Sequence, residues 1–166
     1  PITSIALMML FEEGRFQLTD PVYKFIPSWR KHRVWVEGEG ESMVTRPPKT
    51  PMTVKHLLSH TAGLTYGGFL PGLELPVDAA YASAGISRAG TDTLKEFVEK
   101  LAEVPLLYDP GSRWCYSLST DVCGYLVEAI SGQSFESFLH ERLFEPLDMP
   151  DTGFSVSDNQ LDRFAA

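Results

Sequence analysis

Pro110-Gly111-Ser112-Arg113-Trp114-Cys115-Tyr116-Ser117-Leu118 is the stretch on which the reading of this chain turns. Pro-Gly marks a turn: proline presets φ, and glycine supplies the conformations that other residues avoid. Val122, Leu126, Val127 and Ile130 follow at helical spacing, and Gly132 closes the pattern. The turn therefore delivers a Trp and then a Tyr-Ser pair to the lip of a helix that starts near Thr120. A phenol there can serve as a proton carrier, or it can simply pack at a helix start.

Outward from this stretch, helix signals dominate. Ile2, Ile5, Ala6, Met9 and Leu10 predict a buried helix over residues 2–13, stopped by Gly14. Asp20-Pro21 reads as an N-cap with proline at the first helical position, opening a short helix through Phe25. Arg33 to Val36 and Met43 to Arg46 flank a Gly-Glu-Gly-Glu turn and form a small hairpin. Pro47, Pro48 and Pro51 keep the next stretch extended. Thr53 then caps a helix of Val54 to His60, closed by Gly63. Residues 65–90 are rich in Gly, Pro, Ala and Ser and read as one long loop. Thr93-Leu94-Lys95-Glu96 is a capping box for a helix that buries Leu94, Phe97, Val98 and Leu101 and ends at Pro105. Ser134 caps a last helix carrying Phe135, Phe138 and Leu139, which ends before Pro146. The expected fold class is mostly α, in one helical region spanning residues 1–166.

At 166 residues, with 43% apolar and 22% charged side chains, the chain has the make-up of a soluble globular domain with a real core. Its formal charge of −8 argues against nucleic acid or an anionic membrane as partner. Arg30-Lys31-His32-Arg33 is the one basic run, read as a solvated loop. No apolar stretch is long enough to span a bilayer. Cys115 and Cys123 would lie about 12 Å apart on a helix, too far to bridge. Unpaired cysteines fit a reducing compartment, which favours the cytoplasm slightly.

Four segments resemble, in order, the penicillin-recognising serine hydrolases: class C β-lactamases, DD-peptidases and family VIII carboxylesterases. Leu18-Thr19-Asp20-Pro21-Val22 is similar to that group's L-x-D-P-V step. Met52-Thr53-Val54-Lys55-His56-Leu57-Leu58-Ser59-His60-Thr61-Ala62-Gly63-Leu64 is similar to its I-T-x-x-H-L-L-x-H-T-S-G-L segment. Pro110-Gly111 through Ser117 resembles P-G-x-x-x-x-Y-S. Phe144 to Met149 with Asp151-Thr152-Gly153-Phe154 resembles F-x-P-L-G-M-x-D-T-G-F. The closest pattern is that of the family VIII esterases.

The resemblance implies an acyl-enzyme mechanism on a small-molecule ester or β-lactam, with no metal or organic cofactor. It makes Tyr116 the catalytic tyrosine that handles the proton of a nucleophilic serine, because a serine hydroxyl needs such a neighbour. Trp114 and Leu118 are the expected substrate-pocket residues. Leu118 stands where the β-lactamases carry an asparagine, whose amide can donate to a β-lactam side-chain carbonyl. Leucine cannot, which favours esters. In this register Pro1 is the proline that follows the family's Ser-x-x-Lys, so the serine and lysine precede residue 1. The strand bearing the third motif follows residue 166, and the main antiparallel sheet is largely absent. The chain is thus expected to be an inactive fragment of a larger enzyme. A non-catalytic relative that binds a ligand or peptide through the same region is the alternative.

Three other patterns point to different chemistry. Ser28-Trp29-Arg30-Lys31 is a literal Ser-x-x-Lys, but 14 serines and 6 lysines make a chance match unsurprising. Ser157-Asp158-Asn159 spells a class A β-lactamase motif, yet in a polar tail where a plain loop is expected. His56 and His60 sit four apart and share a face on the expected helix. No Glu lies beside His56 and no third ligand is evident, and the resemblance implies that both histidines are structural, bonding backbone or neighbouring loops.

Overall fold

The computed structural model describes residues 1–69, 72, 74–86 and 92–164, with Asn159 described through its backbone alone. Six α-helices and a two-stranded antiparallel sheet make up the regular structure of these residues. The helices are α1 (Ile2–Glu12), α2 (Val54–Leu58), α3 (Asp78–Ser83), α4 (Leu94–Leu101), α5 (Ser119–Ser131) and α6 (Phe135–Leu139). The strands are β1 (Val34–Glu37) and β2 (Val44–Arg46), with a bulge between Trp35 and Glu37. Among the described residues no helix is long and apolar enough to cross a membrane.

α5 is the hub. Val122, Leu126 and Val127 are fully buried, and α1, α2, α4 and α6 all pack on this helix. Gly132 ends it in the left-handed conformation, donating its N–H to Glu128 O at 2.8 Å. Thr93 caps α4 as its sequence predicts: Thr93 Oγ1 accepts from Glu96 N–H, and Glu96 Oε2 accepts from Thr93 N–H at 2.9 Å. Ser134 does the same for α6 through Ser137 N–H.

Several local readings are corrected. α1 buries Ala6, Leu7 and Leu10, whereas Ile2 and Ile5 are exposed. Nearly every position of α1 is apolar, so spacing alone does not select a face. Asp20 does not cap a helix. Its carboxylate accepts from Gln17 N–H and Lys24 Nζ instead, and residues Val22–Lys24 form a single 3₁₀ turn behind Pro21. α2 stops at Leu58, because His60 takes a left-handed φ of 52° that no helix tolerates. The segment after α6 continues as a π-helical turn over His140–Phe144. The expected loop over residues 65–90 falls partly outside the described residues, and its described part contains α3. Tyr81 on α3 is fully buried, and its hydroxyl oxygen accepts from Thr65 N–H at 2.9 Å.

The basic run is not simply a solvated loop. His32 is buried, and its Nε2–H donates to Leu101 O at 3.1 Å. Trp29 Nε1–H donates to Val98 O at 2.9 Å, and the two rings meet edge to face. His32 thereby satisfies a carbonyl at the C-terminal end of α4, and Trp29 adds a second donor to Val98 O, which also accepts from Ala102 N–H at 3.1 Å. Arg30, Lys31 and Arg33 remain exposed.

Candidate active site

Two of the segments singled out in the sequence, residues 53–65 and 106–118, are zipped together by backbone hydrogen bonds. Leu107 N–H donates to Gly63 O at 2.7 Å, Gly111 N–H to Thr61 O at 2.7 Å and Cys115 N–H to His60 O at 2.8 Å. Leu118 N–H donates to Thr65 O at 3.2 Å. Asp109 ties down the start of the turn. Arg46 holds its carboxylate through two N–H···O bonds of 2.9 and 2.6 Å, and Lys49 N–H adds a third at 3.0 Å. The Arg46 guanidinium, with help from Lys49, pulls the Asp109 pKa down to about 2.

Gly111 is required twice over. Its φ is 83°, and a Cβ there would lie 2.9 Å from His56 Nε2. His56 Nδ1 accepts from Thr53 N–H at 3.2 Å, so the ring caps α2 and then lies against the Pro-Gly turn. With Nδ1 accepting, the neutral ring carries its proton on Nε2.

The turn lifts Tyr116 to the head of α5, where its side chain is 49% exposed. Tyr116 stands in an aromatic group. The His60 ring is 4.8 Å away, Tyr66 5.2 Å, and Trp114 lies nearly parallel at 6.4 Å, all between ring centroids. Ser117 points the other way, into the core. Its Oγ is 2.8 Å from Ser119 Oγ and 3.4 Å from His60 Nδ1. Burial lowers the His60 pKa, so the ring is neutral at pH 7.

Of the expected site residues, Tyr116 and Trp114 stand together on the surface, Trp114 at 68% exposure. Leu118 is only 6% exposed and packs with the core. Tyr66, Ser119 and the contact of His60 with Tyr116 were not foreseen. Tyr66 carries no local signal, and the role of His60 needs the reversal of the chain after α2.

The competing patterns fare differently. Ser28 Oγ is buried with no hydrogen-bond partner and Lys31 is exposed, so the two are not a bonded pair. His56 and His60 do not share a helical face, because α2 ends before His60. Each instead bonds a backbone or loop partner, as the structural reading expects. No cluster of three or more His, Cys, Asp or Glu side chains that could hold a metal ion occurs among the described residues. Asp158 opens a 3₁₀ helix, Asp158–Arg163, near the C-terminus, far along the chain from Tyr116.

The chain belongs to the β-lactamase family, whose model matches residues 1–166. Esterase EstB of Burkholderia gladioli is 34% identical over 165 residues, 99% of this chain and 39% of EstB. The structure of EstCE1, a hydrolase with promiscuous acyltransferase activity, superposes with a TM-score of 0.74 at 31% identity, over 96% of this chain and 39% of EstCE1. Simvastatin synthase (LovD) of Aspergillus terreus gives a TM-score of 0.76 at 27% identity, over 98% of this chain and 39% of LovD. The chain thus spans about two fifths of the length of these relatives.

Proposed function

We propose that residues 1–166 carry the proton-handling tyrosine, Tyr116, of a serine hydrolase that forms an acyl-enzyme with ester substrates. The observation that carries this reading is the placement of Tyr116. Tyr116 is half exposed at the head of α5, with the His60, Tyr66 and Trp114 rings around it, which leaves its phenol within reach of a ligand. The nucleophilic serine and its lysine lie outside residues 1–166 in this reading, as does the main sheet. Serine Oγ attacks the acyl carbonyl while its proton passes into the lysine–tyrosine pair. The same proton then goes to the departing alkoxide, leaving the acyl-serine. Water releases the acid, or a second alcohol takes up the acyl group. The names of EstB, EstCE1 and LovD support both outcomes.

Esters are favoured over β-lactams because Leu118 offers no amide to the site. Trp114, exposed and stacked beside Tyr116, is proposed as one wall of the acyl pocket.

The test is turnover of p-nitrophenyl butyrate and nitrocefin by the full-length protein. Tyr116→Phe is expected to lower kcat on the ester by roughly 10²–10⁴-fold, the usual contribution of a positioned proton-transfer group. Ser28→Ala is expected to leave activity intact, and residues 1–166 alone to be inactive. Full activity in Tyr116→Phe would remove the proposed role. Ligand binding without turnover in the full-length protein would favour the non-catalytic alternative.

A further inference from the structure

We infer that His60 is the positioning residue for Tyr116, holding the phenol in place through its ring, its Nδ1 and its own backbone carbonyl. The inference rests on the reading of Tyr116 as the proton-handling group.

Three contacts converge on the same short segment from one residue. His60 O accepts from Cys115 N–H at 2.8 Å, on the N-terminal side of Tyr116. His60 Nδ1 lies 3.4 Å from Ser117 Oγ, on its C-terminal side. The imidazole ring itself stands 4.8 Å from the Tyr116 ring, tilted by 52°. The tyrosine is thus gripped before, behind and across its side chain. Ser117 Oγ passes the bond on to Ser119 Oγ at 2.8 Å, both hydroxyls being buried, so the Nδ1 contact is anchored in the first turn of α5.

The backbone of His60 adds an independent reason. Its φ of 52° places a histidine in the left-handed region, which side chains with a Cβ rarely adopt. Glycine would make that reversal with less strain, and Gly63 and Gly111 do so nearby. A histidine at such a position is expected where its ring is used, since backbone strain of this kind gathers at functional sites. Among the described residues no cluster of potential metal ligands surrounds the ring. The His60 ring and its Nδ1 are engaged with Tyr116 and Ser117, so the residue acts through the tyrosine.

Small displacements of a reacting group cost about 10²-fold in rate. The full-length protein carrying His60→Gly is therefore expected to lose about 10- to 100-fold in kcat on p-nitrophenyl butyrate, with KM nearly unchanged. The glycine keeps the left-handed turn available and removes only the ring. His60→Asn, which also tolerates that φ and retains a hydrogen-bonding group toward Ser117, is expected to recover part of the loss. In a double-mutant cycle, adding His60→Gly to Tyr116→Phe should cost little more than Tyr116→Phe alone.

Wild-type kcat in both His60 variants, or fully additive losses in the cycle, would overturn the inference. Thermal midpoints of each variant establish that it is folded, and His60→Asn carries the test if His60→Gly does not fold. No loss in Tyr116→Phe itself would instead defeat the underlying reading of the tyrosine, so the two failures are distinguishable.

Discussion

Gly111 shows how much one residue settles. Its positive φ lets the chain reverse after Pro110, and its missing Cβ leaves room for His56, whose Nε2 would otherwise be 2.9 Å away. Gly111→Ala is expected to destabilise the fold by about 1–3 kcal/mol, the usual range for local backbone strain. Urea unfolding of the folded variant measures this, and an unchanged midpoint would contradict it. The glycine itself could be read from the Pro-Gly pair, and so could the caps Thr93 and Ser134, whose partners lie within three residues. The capping role of His56 could not. A histidine that accepts from the N-cap residue replaces the expected Glu or Gln of a capping box, and nothing in the local pattern distinguishes it.

Among elements, α5 was readable because its buried positions alternate with polar ones at helical spacing. α1 was readable as a helix but not as to which side faces inward, because apolar residues surround it. The tie between β2 and the Pro-Gly turn was out of reach, since Arg46 and Asp109 are 63 residues apart and each looks like an ordinary surface charge. Asp109→Asn is expected to lower the thermal midpoint at pH 7 by roughly 2–4 °C. The sign of the pH dependence follows from the lowered pKa. The ion pair's stabilisation is fully present above the ordinary carboxylate range and is lost as pH falls through about 2. The gap between wild type and variant should therefore close in strong acid. A gap that persists there would show that the carboxylate's charge is not what matters.

At the scale of the whole molecule, the candidate site is assembled from distant parts of the chain around a core that the sequence describes only in outline. His60, Tyr66 and Trp114 meet at Tyr116 because α2 and α5 pack together and two loops are zipped between them. Such meetings depend on tertiary packing, which local periodicity does not encode. Stability should carry the mark of buried His32 and of the half-buried His56 and His60. Burial lowers the pKa of His32 most directly, and those of His56 and His60 as well. Groups with lowered folded pKa values stabilise fully above the unfolded histidine value of about 6.5 and lose that contribution as pH falls below it. Denaturation midpoints are expected to stay level from pH 8 to 6.5 and to decline toward pH 5.5. A rise over that interval would place these rings outside the cooperative core.

The stacking of Trp114 on Tyr116 has an optical consequence. Of the three indoles in residues 1–166, Trp29 is buried, Trp35 is partly covered and Trp114 alone lies open beside the candidate site. Iodide, a quencher confined to water, will therefore preferentially dim emission from that one indole. A ligand settling against the phenol in residues 1–166 would shield it and restore the signal, so binding can be followed by light without attaching a dye.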